Sequence, residues 1–311
     1  MKKIGGSKMS EIVSTYSLSK RYGDIYAVED VNLSVSEGDI FGFLGPNGAG
    51  KTTTLKMILG LIGPTKDKVK VFGKDFESNR QFILSHTGSL IESPSYYGHL
   101  TGLENMRIIQ KLRELPDRNV FEALKIVRLE KHKDRKVNQY SLGMKQRLGI
   151  AMALASFPKL LILDEPTNGL DPAGISEIRE LIKSLPSRYD MTVLISSHLL
   201  SEIEQIATSV GIINNGKMIF QGSMKELKKK KHPKIKIKTR ANLLAQKLLA
   251  DRGFYSTLDG DFLIFEDIKD EQVVKINRNL IESNIDVLRI EEDRGNLESI
   301  FLDITGKGGS L

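Results

Sequence analysis

The chain is predicted to fold as an α/β protein: a parallel-sheet core between layers of helix, interrupted by a helical insertion and followed by a small α+β domain. Three observations predict it. A short apolar strand over residues 39–44 runs into a glycine-rich loop, Gly45 to Thr52, and out into a segment with Leu55, Ile58, Leu59 and Ile62 at helical spacing. Two near-continuous apolar runs, residues 160–163 and 191–195, flank a helical stretch over 175–185, the pattern of buried parallel strands joined by a crossover. The composition then shifts at the lysine-rich residues 225–231, beyond which short strands and helices alternate.

Taken in order, residues 12–18 are rich in β-prone side chains, and 31–36 alternate strictly between apolar and polar, so both read as strands with one solvated face. Glu37-Gly38 turns the chain into the next strand. The loop that follows fits G-x-x-x-x-G-K-[ST] at every fixed position. Glycines at 45, 48 and 50 let successive backbone N–H groups face phosphate oxygens, and the following helix adds the positive end of its dipole. Lys51 is then placed to reach the β- and γ-phosphates and Thr52 a magnesium ion, so the chain handles a nucleoside triphosphate.

Residues 69–73 and 87–91 read as further strands. From 101 to 157 the period is helical. Thr101 and Glu104 form a capping-box pattern, and Pro116 separates this helix from another through Val120, Leu124 and Val127. The apolar run 160–163 ends in Asp164-Glu165, where a strand delivers carboxylates to the sheet edge that holds phosphate. Asp164 suits magnesium, and Glu165 suits orienting or deprotonating a water.

Residues 223–233 read as a basic linker ending in His232-Pro233. Beyond it come a strand (235–239), a helix (243–251), two strands (254–258 and 262–265), a helix (271–283) and a strand (287–290), a βαββαβ order, with a closing helix expected over 296–302. The expected domains are an extension (1–10), a nucleotide-binding domain (11–222), the linker (223–233), an accessory domain (234–305) and a tail (306–311).

With 311 residues, 40% of them hydrophobic, the chain can bury a full core. It has no cysteine, which removes disulfides, thiolate metal sites and thiol catalysis. No apolar run approaches the roughly 18 residues that span a bilayer, and residues 1–6 lack the apolar stretch of a signal peptide, so a soluble chain is expected. A formal net charge of +7 admits anionic partners without choosing among them.

Around the loop the sequence resembles the nucleotide-binding subunit of an ATP-binding cassette (ABC) transporter, over residues 12–222. Tyr140-Ser141-Leu142-Gly143-Met144-Lys145-Gln146-Arg147 occupies the place of the family signature L-S-G-G-Q, with Ser141 and Gly143 retained and Leu142 and Met144 as departures. Asn168-Gly169-Leu170-Asp171 looks like the loop after the acidic strand (the D-loop), and Ser197-His198 like the switch histidine.

The resemblance implies a phosphate-loop ATPase cassette with a parallel-sheet core, an antiparallel β subdomain and a helical subdomain, using ATP and Mg2+. It implies ATP contacts from Gly45, Pro46, Asn47, Gly48, Ala49, Gly50, Lys51, Thr52 and Thr53, with Tyr22 stacking on adenine. Glu165 is then the general base and His198 the γ-phosphate sensor. Two such domains, identical or not, would stack head to tail, so that the Ser141–Met144 signature of one meets the γ-phosphate held by the other.

Glu92 stands where most members carry a glutamine that touches magnesium, beside Thr52 and Asp164, and faces the membrane partner. Glutamate there, followed by residues 94–101, resembles the subfamily that exports bacitracin or protects lantibiotic producers. The expected role is an ATP-hydrolysing subunit peripheral on the cytoplasmic face of the membrane, driving efflux of a peptide antibiotic or other amphipathic or lipid-associated substrate through integral permease subunits, with no nucleic acid partner. The alternative is a soluble cassette ATPase acting on ribosomes or DNA, but such members generally carry two cassettes or a cassette split by a coiled coil, and this chain has one unsplit cassette. A GTPase would need [NT]-K-x-D after a later strand, which Thr65-Lys66-Asp67-Lys68 does not match.

Overall fold

The computed structural model describes residues 10–93, 95–229 and 234–293. The first strand, β1 (Glu11–Tyr22), turns through Gly23-Asp24 into β2 (Ile25–Val31), and β3 (Ser34–Ser36) pairs with the beginning of β1. The alternating run 31–36 is therefore two strands. Val31 faces Leu18 and Val35 faces Val13, and Asn32 makes the break, its side chain accepting from the Ser17 N–H at 2.9 Å and donating to the Asp30 carbonyl at 3.1 Å.

Fully buried β4 (Ile40–Leu44) enters the glycine loop, and α1 (Lys51–Ile58) leaves it. Then β5 (Lys66–Val71) and β6 (Lys74–Asp75) complete an antiparallel sheet of order β2-β1-β5-β6, with β3 attached to β1. A short helix, α2 (Arg80–Ser85), leads to β7 (Thr87–Leu90).

The helical insertion consists of α3 (Gly102–Arg113), α4 (Asp117–Ile126) and α5 (Leu142–Leu154). Thr101 and Glu104 make the expected reciprocal cap, with N–H to side-chain distances of 3.1 and 2.7 Å, and Pro116 stands at the N-cap of α4, where its missing N–H costs nothing. Next come β8 (Leu160–Asp164), α6 (Pro172–Tyr189), β9 (Thr192–Ser197), α7 (Leu200–Ile203), β10 (Ser209–Asn214) and β11 (Lys217–Ser223). The large sheet has the order β11-β10-β4-β9-β8-β7, parallel throughout except for the edge strand β11. Its central strands β4, β8 and β9 are buried on both faces, which is why they read as apolar runs.

The chain divides into two compact units between Met224 and Lys225. Within the stretch read as linker, Met224–Lys229 forms a helix, α8, with Met224 and Leu227 buried three residues apart. Lysine-rich composition concealed that apolar face. Residues 230–233 and the expected closing helix 296–302 lie outside the described residues.

The second unit continues with β12 (Lys234–Thr239), α9 (Asn242–Asp251), β13 (Thr257–Asp259), β14 (Phe262–Glu266), α10 (Asp270–Glu282) and β15 (Val287–Asp293), in an antiparallel sheet of order β13-β14-β12-β15. Ile237, Leu249, Leu263, Phe265, Ile276 and Leu280 close its core between sheet and helices.

Candidate nucleotide site

The loop between β4 and α1 is held open by glycine. Gly48 and Gly50 have φ of 79° and 104°, and a Cβ on Gly45 would strike the Ile213 carbonyl. Gly50 is the N-cap of α1 and supplies no side-chain cap, so the first N–H groups of the helix remain directed toward an anion. Pro46 and Asn47 are exposed, Ala49 is buried, and Thr52 and Thr53 are half-buried on the first turn. Lys51, only 5% exposed, folds back so that its Nζ donates to the carbonyls of Gly45 at 2.8 Å and Pro46 at 3.2 Å, and it lies 3.2 Å from Glu165 Oε1.

The carboxylates come from the end of β8, beside β9. Buried Asp164 accepts from Thr52 Oγ1 at 2.8 Å and from Ser196 Oγ at 2.5 Å. Ser196 Oγ in turn accepts the Glu165 N–H at 2.9 Å. The same hydroxyl therefore fixes both acids. Glu165 adopts a left-handed φ of 46°, a conformation a non-glycine residue holds only when its surroundings enforce it. Its second oxygen, Oε2, lies 2.8 Å from His198 Nδ1.

Local sequence pattern does not single out Ser196. The signal was available in the parallel register, because Ser196 is paired with Asp164 at the C-terminal ends of two apolar strands. Nor does local pattern single out Glu202, which is buried and accepts from Thr167 Oγ1 at 2.5 Å and Ser197 Oγ at 3.4 Å, joining the loop after the acids to the histidine segment.

Thr52, Glu92, Leu142, Gln146, Asp164 and Glu165 share a cavity of about 370 Å³. The Thr52 hydroxyl and Asp164 carboxylate supply hard oxygen donors next to the phosphate loop, a set that fits Mg2+, which takes one or two protein oxygens and completes its shell with water and phosphate. Glu92 reaches the same cavity, but its Oε1 accepts from Lys56 Nζ at 2.6 Å.

Ser141 caps α5, accepting the Met144 N–H at 3.2 Å, and both Ser141 and Leu142 are exposed, so this helix start faces outward. Behind it, burial raises the Tyr140 phenol above its ordinary value; the hydroxyl donates to the His132 carbonyl at 2.7 Å. Gly143 and Met144 are half-buried, and Leu142 packs on Gly169, where an added Cβ would lie 3.2 Å from it. Asp171 caps α6 through the Gly174 N–H at 3.1 Å. Tyr22, 53% exposed at the end of β1, carries Lys20 Nζ 5.3 Å from its ring centre. The chain alone thus gathers Lys51, Thr52, Asp164, Glu165 and His198, while Tyr22, Ser141 and Asp171 present themselves separately.

Residues 28–168 match the ABC transporter family. The chain is 43% identical to the bacitracin transport ATP-binding protein BcrA of Bacillus licheniformis, over 96% of this chain and 99% of that one. It is also 43% identical to the lantibiotic transport ATP-binding protein SrtF of Streptococcus pyogenes, over 66% of this chain and 88% of the relative. Among solved structures it is similar to cbiO1 of Clostridium perfringens, part of an ABC transporter complex, with TM-score 0.65, 28% identity and coverage of 71% and 92%. A dimeric post-hydrolysis ATP-binding cassette bound to ADP and Pi superposes with TM-score 0.62 at 26% identity, covering 68% and 98%. With a triphosphate loop, an acidic strand end and a histidine converging on one sheet edge, and relatives matched along nearly their whole length, the chain belongs to the ATP-binding subunits of ABC transporters, enzymes that bind ATP with Mg2+ and hydrolyse it.

Proposed function

We propose that this ATPase drives export of a peptide antibiotic, or of another amphipathic or lipid-associated molecule, through separate membrane subunits, acting from the cytoplasmic face of the membrane. The observation that carries the proposal is the 43% identity to a bacitracin transport protein across 96% of this chain, a match that takes in the second unit as well as the cassette. Among the described residues no helix is long and apolar enough to cross a membrane. Action on ribosomes or DNA has no comparable support.

In this reading Tyr22 stacks on adenine, the Gly45–Thr53 backbone and Lys51 hold the phosphates, and Thr52 and Asp164 hold Mg2+. When bound, the ion neutralises charge on the β- and γ-phosphate oxygens. Glu165 serves as the general base: His198 holds one of its oxygens, the left-handed backbone aims the side chain, and the other oxygen, here paired with Lys51, is released to water when Lys51 turns to phosphate. His198 contacts the γ-phosphate, and Glu92 faces both the cation and the membrane partner. Ser141 and Gly143, at the outward-facing start of α5, meet the γ-phosphate bound by a second cassette, beside Asp171 at the start of α6. ATP thereby holds two cassettes together and hydrolysis releases them. Residues 11–222 form the cassette, and 234–305 an accessory domain that regulates or supports dimerisation.

The test is to purify the chain from membranes, identify the hydrophobic subunit that accompanies it, and express the pair in a sensitive bacterium. Growth inhibition by bacitracin and by a lantibiotic is expected to require severalfold more drug, and Glu165→Gln is expected to abolish that protection. Unchanged sensitivity to both drugs in cells containing an active ATPase complex overturns the substrate assignment.

A further inference from the structure

The three carboxylates at the nucleotide cavity are compensated differently. Glu165 lies between Lys51 and His198, whereas the partners of Asp164 are the hydroxyls of Thr52 and Ser196. Glu92 is paired with Lys56, at 2.6 Å. Lys56 follows Thr52 by four residues on α1, so the two side chains occupy neighbouring positions on one helix face. Thr52 binds the buried acid, and Lys56 binds the loop acid. Glu92 lines the cavity and Lys56 does not, so the ammonium grips the carboxylate from outside the space it faces.

Glu92 is further constrained by a left-handed φ of 58°. A residue with a Cβ is held there by its surroundings, and the ion pair with α1 is one such restraint. The loop after β7 is thus tied to the helix whose first turn carries Thr52.

We propose that Lys56 is a positioning and charge-setting residue for the cation site: by neutralising Glu92 and anchoring it to α1, it sets the affinity of the cavity for Mg2+ with nucleotide. The proposal rests on the reading of Thr52 and Asp164 as the Mg2+ ligands. Charge arithmetic then makes a prediction that a purely structural role does not share. Lys56→Met removes the ion-pair partner of Glu92, makes the cavity, which Lys145 also lines, one unit more negative, and strengthens Mg2+ binding. Glu92→Gln leaves Lys56 as an uncompensated positive charge and weakens it. The double variant restores neutrality. Lys56 is partly and Glu92 largely solvated, so each single shift is about two- to fivefold in the Mg2+ concentration at half-saturation.

The experiment measures equilibrium binding of a fluorescent, non-hydrolysable ATP analogue to the full chain while Mg2+ is titrated. Wild type is compared with Lys56→Met, Lys56→Arg, Glu92→Gln, the Lys56→Met/Glu92→Gln double variant and Asp164→Asn, with thermal unfolding recorded for each. Opposite shifts in the two single variants, retention in Lys56→Arg and return toward wild type in the double variant support the proposal. Single-variant shifts in the same direction, or a double variant that stays as far from wild type as either single variant, overturn it. If Asp164→Asn abolishes the Mg2+ dependence while the Lys56 and Glu92 variants leave it unmoved, the role of Lys56 fails alone. If Asp164→Asn retains that dependence, the cation is not in this cavity and both readings fall.

Discussion

Lys51 Nζ lies 3.2 Å from Glu165 Oε1, an ion pair between the residue that is to grip phosphate and the residue that is to activate water. The lysine is buried, and a buried ammonium is costly unless paired and hydrogen-bonded. Glu165 and the carbonyls of Gly45 and Pro46 fulfil that requirement within the chain. On the proposed assignment, a triphosphate entering the loop presents oxygens to the same ammonium and competes with Glu165 for it, leaving the carboxylate to His198 and to water, so that phosphate binding and base release are linked through one lysine.

Glu165→Gln is expected to keep ATP binding, because the amide preserves shape and the phosphate no longer competes with a carboxylate for Lys51. Turnover should fall on the order of 10²- to 10⁴-fold, the range for losing a general base. Size-exclusion chromatography with ATP should show an accumulated dimer. Full hydrolysis by this variant would remove Glu165 as the base.

Lys51→Ala removes the cation while leaving the glycine backbone in place. A charge-assisted hydrogen bond contributes about 1.5–3 kcal/mol, so the ATP dissociation constant should rise roughly 10- to 100-fold. Titration calorimetry gives the value directly, and an unchanged constant contradicts the phosphate-loop assignment.

Ser196→Ala tests the link between the two acids. Its hydroxyl is fully buried, donates to Asp164 and accepts the Glu165 N–H. Deletion leaves a buried carboxylate oxygen and a backbone donor short of a partner, at a cost of about 1–3 kcal/mol. Urea denaturation should show the loss, turnover should fall with it, and Ser196→Thr should recover part of both. A variant as stable and as active as wild type shows that the bridge does not matter.

Much of this site was legible because local chemistry alone forces it. Gly45 to Thr52 has a fixed spacing, and Asp164-Glu165 ends an apolar strand, so sequence order locates the phosphate loop and the acids. The partners that hold them are set by strand register and helix phase. Ser196 meets Asp164 only because β8 and β9 run parallel in that register, and Lys56 meets Glu92 only because the loop after β7 passes α1. Val31–Ser36 misled for a related reason: strict alternation marks which face is buried, but not that Asn32 divides the run between two stretches of β1. The edge pair β10 and β11 went unread because nothing in its local pattern announces pairing with β4.

Gly48 and Gly50 belong to the same motif but are needed for different physical reasons, and alanine separates them. At Gly48 a Cβ meets nothing within 4 Å, so Gly48→Ala costs only the strain of its positive φ, about 1–2 kcal/mol. At Gly50 the positive φ is joined by a steric conflict, since a Cβ would lie 2.5 Å from the Ala27 carbonyl oxygen, a backbone atom that cannot swing away as a side chain can. Relief requires α1 to move away from β2, carrying Lys51 and Thr52 off the acids at the end of β8. Gly48→Ala should therefore bind ATP with modestly reduced affinity and unfold at slightly lower urea, whereas Gly50→Ala should lose ATP binding and show the larger drop in stability. Equal effects in the two variants, by equilibrium binding and urea unfolding, would mean that backbone strain alone governs the loop and that the close approach to Ala27 is relieved at little cost.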